Sequence, residues 1–87
     1  MTDAEKFKQT QEDLYELFLK KNADYGETYK KYGIIGILIR ISDKIDRCIN
    51  IDKNKVHLIK EEGIENELKD LANYSTMALM LKKKEDK

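Results

Sequence analysis

The chain of 87 residues contains no proline. Proline kinks or breaks a helix in its interior, so its absence fits long uninterrupted helices. Apolar residues recur at helical spacing in three segments, which predicts helices at about residues 2–22, 34–50 and 61–81, followed by a charged tail at 82–87. The sequence therefore predicts an all-α fold, a three-helix antiparallel bundle in one domain covering residues 1–87.

The first predicted helix begins with a capping box. Thr2 and Glu5 have the spacing at which a hydroxyl and a carboxylate satisfy the free backbone N–H groups of a helix start. The apolar positions that follow along one face are Phe7, Leu14, Leu17 and Phe18. This pattern predicts an amphipathic helix packed through that face.

The second predicted helix is apolar on almost every side of its first turns. One stripe consists of Ile34, Leu38, Ile41, Ile45 and Ile49. Such a helix needs to be buried on several sides. A chain of this length buries only about 60–65% of its unfolded surface, so its core is small. We therefore expect homo-oligomerisation to complete the bundle, with a monomeric three-helix bundle as the alternative.

The third predicted helix has an apolar face and a polar stripe. We expect packing through the face formed by Ile64, Leu68, Leu71, Ser75 and Ala78. The polar stripe lies roughly opposite and is formed by Glu62, Asn66, Asp70 and Asn73. A polar stripe of this kind usually faces solvent.

Composition narrows the classes of partner. Lysine plus arginine and aspartate plus glutamate each number 17, and this zero net charge argues against a dedicated nucleic-acid binder. No segment reaches the ~18 apolar residues of a membrane span, and the N-terminus lacks an apolar signal-peptide core. The single cysteine, Cys48, excludes an internal disulfide framework. We expect a cytoplasmic protein without membrane or sequence-specific nucleic-acid partners.

Two groups of residues are candidates for binding a nucleotide. The predicted loop between Lys20 and Gly33 carries Tyr25, Tyr29 and Tyr32, whose rings could stack on a base. The alternative is a solvated loop that covers the end of the bundle. The second helix carries a charged face formed by Arg40, Asp43, Lys44 and Arg47. Arginine suits bidentate contact with phosphate, although the same face could simply meet solvent through intrahelical ion pairs.

A third group could hold a metal ion. Carboxylates one helical turn apart can share Mg²⁺, which prefers oxygen ligands. The candidate ligands are Asp43, Glu62, Glu65 and Asp70. A solvent-facing charged stripe is the alternative here too. Asn73 is a further candidate for ligand contact, since helix propensity gives no reason for an asparagine in mid-helix.

Four segments carry a resemblance to a known family. They are Asp24–Gly26, Gly33–Gly36, Arg40–Arg47 and Glu62–Tyr74. On these segments the chain resembles the nucleotide modification associated domain family, small and mostly helical proteins of phages and bacteria. The resemblance covers about residues 20–81 and implies a role in nucleotide metabolism or phage DNA modification. The family is also distantly similar to the MazG-like all-α nucleotide pyrophosphohydrolases, which hold Mg²⁺ on helix-borne acidic residues.

The chain departs from the family pattern near the third helix. The family usually reads Glu-Ser-x-x-Asp-Thr-x-x-Asp-Leu there, whereas this chain has Gly63, Asn66 and Glu67 at the serine, aspartate and threonine positions. The Glu-Glu-x-x-Glu signature of the MazG-like enzymes is also absent from the first helix. A metal site short of carboxylates can bind a nucleotide while hydrolysing it poorly.

Three hypotheses follow for the function. The first is a phage-type protein that binds or sequesters a nucleotide without turnover and without a cofactor, such as a cyclic or signalling nucleotide of host defence. Its binding residues would be Tyr25, Tyr29, Tyr32, Arg40, Asp43, Lys44, Arg47, Asp70 and Asn73. The second is a Mg²⁺-dependent nucleoside triphosphate pyrophosphohydrolase that uses the four carboxylates above. The third is a structural or interaction module.

Overall fold

The computed structural model describes the backbone of residues 1–54 and 60–85, and the side chains of residues 1–21, 30–50 and 63–83. Two helices make up these residues, α1 at Asp3–Asn54 and α2 at Lys60–Glu85, and the described backbone contains no strand. The all-α prediction is confirmed for this part of the chain.

Helix α1 is not straight. A straight helix of its 52 residues would be about 78 Å long, whereas the longest dimension of the molecule is 45 Å. Lys21 and Lys44, which would be about 34 Å apart on a straight helix, both contact Asp70. Between them lies Gly33, whose φ of 66° leaves the right-handed helical conformation. Helix α1 thus has two arms, residues 3–32 and 34–54, and the described backbone has three helical segments.

The predicted loop between Lys20 and Gly33 is wrong, because the backbone stays helical up to Gly33. A glycine inside a helix costs only about 1 kcal/mol relative to alanine, and the segment contains no proline to stop the helix. Within this segment the described backbone leaves the right-handed helical conformation only at Gly33. The second arm also continues beyond the predicted end to Asn54, and α2 continues beyond residue 81 to Glu85.

The capping box is confirmed. The Thr2 backbone N–H donates to Glu5 Oε1 at 2.9 Å, and the Glu5 N–H donates to Thr2 Oγ1 at 3.1 Å. The backbone hydrogen bond from Thr2, with that of its side chain, holds the pKa of the Glu5 carboxyl below its usual value. These two bonds satisfy N–H groups that a helix start leaves free.

The core joins α2 to both arms of α1. Ile37 and Met77 are fully buried and touch each other across the two helices. The partly buried residues packed against them are Phe18, Ile41, Tyr74, Ala78 and Leu81. Leu14 of the first arm is buried as well. This core packs the second arm against α2 so that Lys44 and Arg47 lie within ion-pair distance of Glu67 and Asp70.

The predicted orientation of α2 is wrong in part, although Ala78 of the predicted packing face does pack against the core. Asp70 and Asn73 are buried together with Met77, whereas Leu68 and Ser75 of the predicted packing face are exposed. Asp70 and Asn73 of the polar stripe turn inward because they find charged and hydrogen-bonding partners on α1, which offsets the cost of burying them, whereas Asn66 of the same stripe is exposed as predicted. In the second arm, Leu38, Ile45 and Ile49 of the predicted stripe are likewise exposed.

Candidate functional site

The predicted charged face of the second arm divides between two places. Lys44 and Arg47 reach across to acidic residues of α2. Arg40 and Asp43 instead line an open groove beside Tyr32. Successive helical residues are about 100° apart around the axis, so the neighbours Asp43 and Lys44 point to different surfaces.

An ion-pair cluster links all three helical segments. Asp70 accepts from Lys21 Nζ at 3.3 Å and from Lys44 Nζ at 3.2 Å, one on each carboxylate oxygen. Lys44 Nζ also lies 3.3 Å from Glu67 Oε2, and Arg47 Nη1 lies 3.9 Å from Glu67 Oε1. Lys44 therefore bridges two carboxylates of α2, and it is largely occupied by contacts within the chain.

Burial and hydrogen bonding act in opposite directions on Asp70. Burial raises the pKa of its carboxyl, while the hydrogen bonds and charges of Lys44 and Lys21 lower that pKa by more. The net result is a pKa below the ordinary value, so Asp70 stays charged at neutral pH. Glu67 Oε2 is buried without an aligned hydrogen bond, although its charge is near that of Lys44.

Cys48 lies beside this cluster and is partly buried. Burial, followed by the charge of Glu67, raises the pKa of the thiol. A thiol held protonated in this way is a poor nucleophile and a poor metal ligand. Cys48 is therefore a partly buried thiol close to the charges of Glu67 and Lys44.

Asn73 ties α2 to the first arm. Its side-chain N–H donates to the Leu14 carbonyl oxygen at 3.2 Å, and the bond is buried. A carbonyl oxygen has two lone pairs, so Leu14 can accept this bond beside its own helical bond. The mid-helix asparagine that stands out in the sequence therefore has a structural partner.

The groove occupies one side of α1 around the break at Gly33, with a volume of about 420 Å³. Its lining residues are Tyr32, Ile35, Gly36, Ile39, Arg40 and Asp43. The left-handed φ of Gly33 brings Tyr32 against Gly36, where an added Cβ would collide with the Tyr32 Cβ. Glycine at position 36 therefore permits this turn. We call this site the Tyr32–Arg40 groove.

The polar residues of the Tyr32–Arg40 groove are available to a ligand. Tyr32 is 60% exposed, and the Lys31 ammonium lies 5.3 Å from its ring centroid. Arg40 and Asp43 are exposed, and neither makes a hydrogen bond or ion pair with another residue whose side chain is described. The groove thus combines an aromatic face, a cation nearby and an uncommitted guanidinium.

The remaining predicted site residues fall elsewhere. Tyr25 and Tyr29 lie in the helical backbone of the first arm, but their side chains are outside the described residues, as is that of Glu62. Glu65 is exposed and pairs with Lys69 at 3.5 Å. Over the described side chains, no three histidine, cysteine, aspartate or glutamate residues converge on a possible metal position.

Sequence reasoning missed Lys21 and Glu67 as members of the ion-pair cluster. In the sequence, Lys21 stands out only by its place on the first helix, and Glu67 only as a departure from the family pattern. The sequence did contain one indication of these pairs. Two acidic residues three positions apart, Glu67 and Asp70, have the same spacing as two basic residues, Lys44 and Arg47, with which they form ion pairs.

A second cavity of about 280 Å³ lies between the first arm and α2. Its lining is mostly apolar and consists of Gln11, Leu14, Tyr15, Phe18, Asn73, Thr76, Met77 and Met80. Of the residues predicted to bind a ligand, Asn73 lines this cavity. The cavity offers no charged side chain, in contrast to the Tyr32–Arg40 groove.

A family model described as "Nucleotide modification associated domain 1" matches residues 21–81, which is more than half of the chain. No curated protein and no solved structure shows significant similarity. Among the described helices, none is long and apolar enough to cross a membrane.

Proposed function

Because the chain belongs to the nucleotide modification associated domain 1 family, we propose that it binds a nucleotide without converting it. The Tyr32–Arg40 groove is the proposed site. The observation that carries the proposal is an exposed arginine without a described partner in the same groove as an exposed tyrosine. This pairing matches the two chemically distinct parts of a nucleotide, the base and the phosphate.

Each groove residue has a proposed role. The Tyr32 ring stacks on the base, as aromatic side chains do with single-stranded nucleotides. The Arg40 guanidinium contacts phosphate oxygens in the bidentate geometry that arginine favours. Asp43, one turn further on, orients Arg40 or accepts from a sugar hydroxyl. Arg47 follows Arg40 by two turns and is 63% exposed, so it can reach a second phosphate.

The ion-pair cluster supports this site without contacting the ligand. Lys44 and Asp70 hold the second arm against α2, and Asn73 holds the first arm there. The groove residues flank the point at which the two arms meet. We therefore assign Lys44, Asp70 and Asn73 positioning roles, which differs from the ligand contact that their sequence positions first indicated.

The proposed biological role is sequestration. A small protein that binds tightly and does not turn over can remove a cyclic or signalling nucleotide of host defence from the cytoplasm. The exposed apolar side chains of α1 and α2 support homo-oligomerisation in the same proposal. The phage context comes from the family resemblance.

Mass spectrometry of a mixed nucleotide pool tests the proposal. The pool contains linear, cyclic and ADP-ribose-type species, incubated with purified protein and Mg²⁺. We expect one species to disappear from the free fraction and to return intact after heat denaturation. Conversion of any species to a lighter product would contradict binding without turnover and would favour the pyrophosphohydrolase. No change in any species would favour the interaction module.

Two variants locate the site. Arg40→Ala should weaken nucleotide binding by ~1.5–3 kcal/mol, which is about 10- to 150-fold in affinity, since it removes a charge-assisted contact. Lys69→Ala is the matched control, because Lys69 is also a partly exposed helical cation but pairs with Glu65 on α2. Equal retention by Arg40→Ala and the control would exclude the Tyr32–Arg40 groove.

A further inference from the structure

The second arm of α1 carries an apolar face that lies outside the core and of which only Ile35 and Ile39 line the proposed groove. Its members are Ile35, Leu38, Ile39, Ile45 and Ile49, which are between 44% and 68% exposed. The face that packs on α2 consists instead of Ile37, Ile41, Lys44 and Cys48. The two faces are roughly 120° apart around the helix axis. The arm therefore has a second apolar side without a partner in the described chain.

Four isoleucines of the apolar face are placed symmetrically in the sequence about Ser42. Ile39 and Ile45 stand three positions on either side, and Ile35 and Ile49 stand seven positions on either side. A two-fold contact between identical chains pairs residue i with residue j and residue j with residue i. Two antiparallel arms that cross at Ser42 would thus pack isoleucine on isoleucine at four places.

The extent of the face fits a second copy of the chain. Five aliphatic side chains at this exposure present on the order of 500 Å² of apolar surface, against roughly 800 Å² per partner in a standard interface. The stems of flanking polar residues supply part of the difference. Ser42 is small and exposed, so the two backbones can approach closely at the centre.

We propose that this face is a two-fold interface between two copies of the chain and that the interface completes the nucleotide site. Ile35 and Ile39 belong both to the apolar face and to the Tyr32–Arg40 groove. Every residue that lines the groove lies on α1, so the groove has one wall, whereas ligand sites usually enclose most of their ligand. A second copy seated on the face supplies the other wall. The claim about the second wall rests on the proposed function, but the interface does not.

Cross-linking at the two-fold centre tests the register. In a Cys48→Ala background, Ser42→Cys places one thiol at the centre of each arm, and a mild oxidant should join the two chains in a disulfide. Ser75→Cys in the same background is the matched control, since Ser75 is an exposed serine on α2. We expect covalent dimer for Ser42→Cys and monomer for the control. Failure of Ser42→Cys to cross-link, or equal cross-linking of both, would overturn the interface.

Sedimentation tests the face by a second route. Ile45→Lys puts a charge into the interface without touching a groove residue, and it should convert dimer to monomer at micromolar concentration. Leu79→Lys is the control, because Leu79 is 65% exposed on α2 and outside the face. It should sediment like the wild type. A wild-type protein that sediments as a monomer would overturn the proposal.

Retention from the same mixed nucleotide pool separates this proposal from the proposed function. We expect monomeric Ile45→Lys to retain about tenfold less nucleotide than the wild type, since it lacks the second wall. Equal retention would refute the shared site. Cross-linking at Ser42→Cys together with no retention by the wild type would refute the proposed function and leave the interface standing.

Discussion

Asp70 shows how single residues decide which way a helix faces. It is a buried carboxylate that two lysines from different arms of α1 keep charged. A charge buried without partners would cost several kcal/mol, so the lysines and Asp70 stabilise the fold only together. The face of α2 that packs against α1 is therefore set by the pairing of Asp70 with the lysines, whereas Leu68 and Leu79 of the same helix stay exposed.

Removal of this charge should destabilise the protein in a pH-dependent way. Asp70→Asn should lower the free energy of unfolding at pH 7 by about 1–3 kcal/mol, since two lysines lose a charged acceptor. The folded state holds the pKa of Asp70 below its unfolded value of about 3.9. Its stabilisation is therefore present above about pH 4 and is lost as the pH falls through the folded pKa.

Urea denaturation at pH 7 and at pH 2.5 checks this prediction. The difference between Asp70→Asn and the wild type should shrink at the lower pH, because the wild type progressively loses the stabilisation from this carboxylate as the pH falls below the unfolded pKa. Asp46→Asn is the control, because Asp46 is exposed. A difference of the same size at both pH values would show that the charge of Asp70 does not contribute.

Gly33 is the second residue on which the fold depends. Gly33→Ala should lower the free energy of unfolding by about 1–2 kcal/mol, because alanine resists the left-handed conformation. An added Cβ would meet no atom within 4 Å, so the cost is conformational and not a clash. Gly33→Asn should cost less, since asparagine tolerates this conformation. Equal stability of all three proteins in urea titrations would place the bend of α1 elsewhere.

At the scale of elements, the contacts between α1 and α2 were harder to predict than the helices themselves. The absence of proline and the spacing of apolar residues indicate the three helical segments, and Thr2 with Glu5 marks the first start correctly, but the continuation of helix up to Gly33 was not predicted. A single sequence does not show which polar residues have partners across the core. The sequence pattern therefore places Asp70 and Asn73 on the outer side of α2, although both are buried.

The Asn73 bond to the first arm gives a test at this scale. Asn73→Ala should lower the free energy of unfolding by about 0.5–1.5 kcal/mol, because it removes a buried hydrogen bond while the Leu14 carbonyl keeps its helical bond. Asn66→Ala is the matched control, since Asn66 is an exposed asparagine on the same helix. Thermal unfolding of both variants measures the difference. Equal melting temperatures would mean that this bond does not hold the arm.

At the scale of the whole molecule, the small core and the exposed isoleucines belong together. The two described residues that are less than 2% exposed, Ile37 and Met77, form the centre of the core. The sequence indicated shared burial because the first turns of the second arm are apolar on almost every side. It could not show which face meets α2, because Ile37 and Leu38 are both large aliphatic residues, yet the first is buried and the second is exposed.

Concentration dependence of stability tests the shared core. The melting temperature of the wild type should rise with protein concentration, since a second copy binds the folded chain and not the unfolded one. That of Ile45→Lys should be lower and independent of concentration. A wild-type melting temperature that does not change with concentration would contradict self-association as a source of stability.

The Tyr32–Arg40 groove was partly visible in the sequence. Tyr32, Arg40 and Asp43 were all candidates, since aromatic, guanidinium and carboxylate groups have recognisable chemistry. Their separation from Lys44 was not visible, because it depends on the rotation of α1 against α2. The role of Gly36 was also not visible, since it follows from the turn at Gly33 that presses Tyr32 against it.

Nuclear magnetic resonance of the isotope-labelled protein tests the central claim most directly. The nucleotide retained from the mixed pool is added stepwise, and the backbone amide shifts are followed. We predict that the largest shifts fall on Tyr32, Gly36, Arg40 and Asp43, which surround the groove. Shifts centred instead on Gln11, Tyr15 and Thr76 would place the ligand in the second cavity and contradict the account.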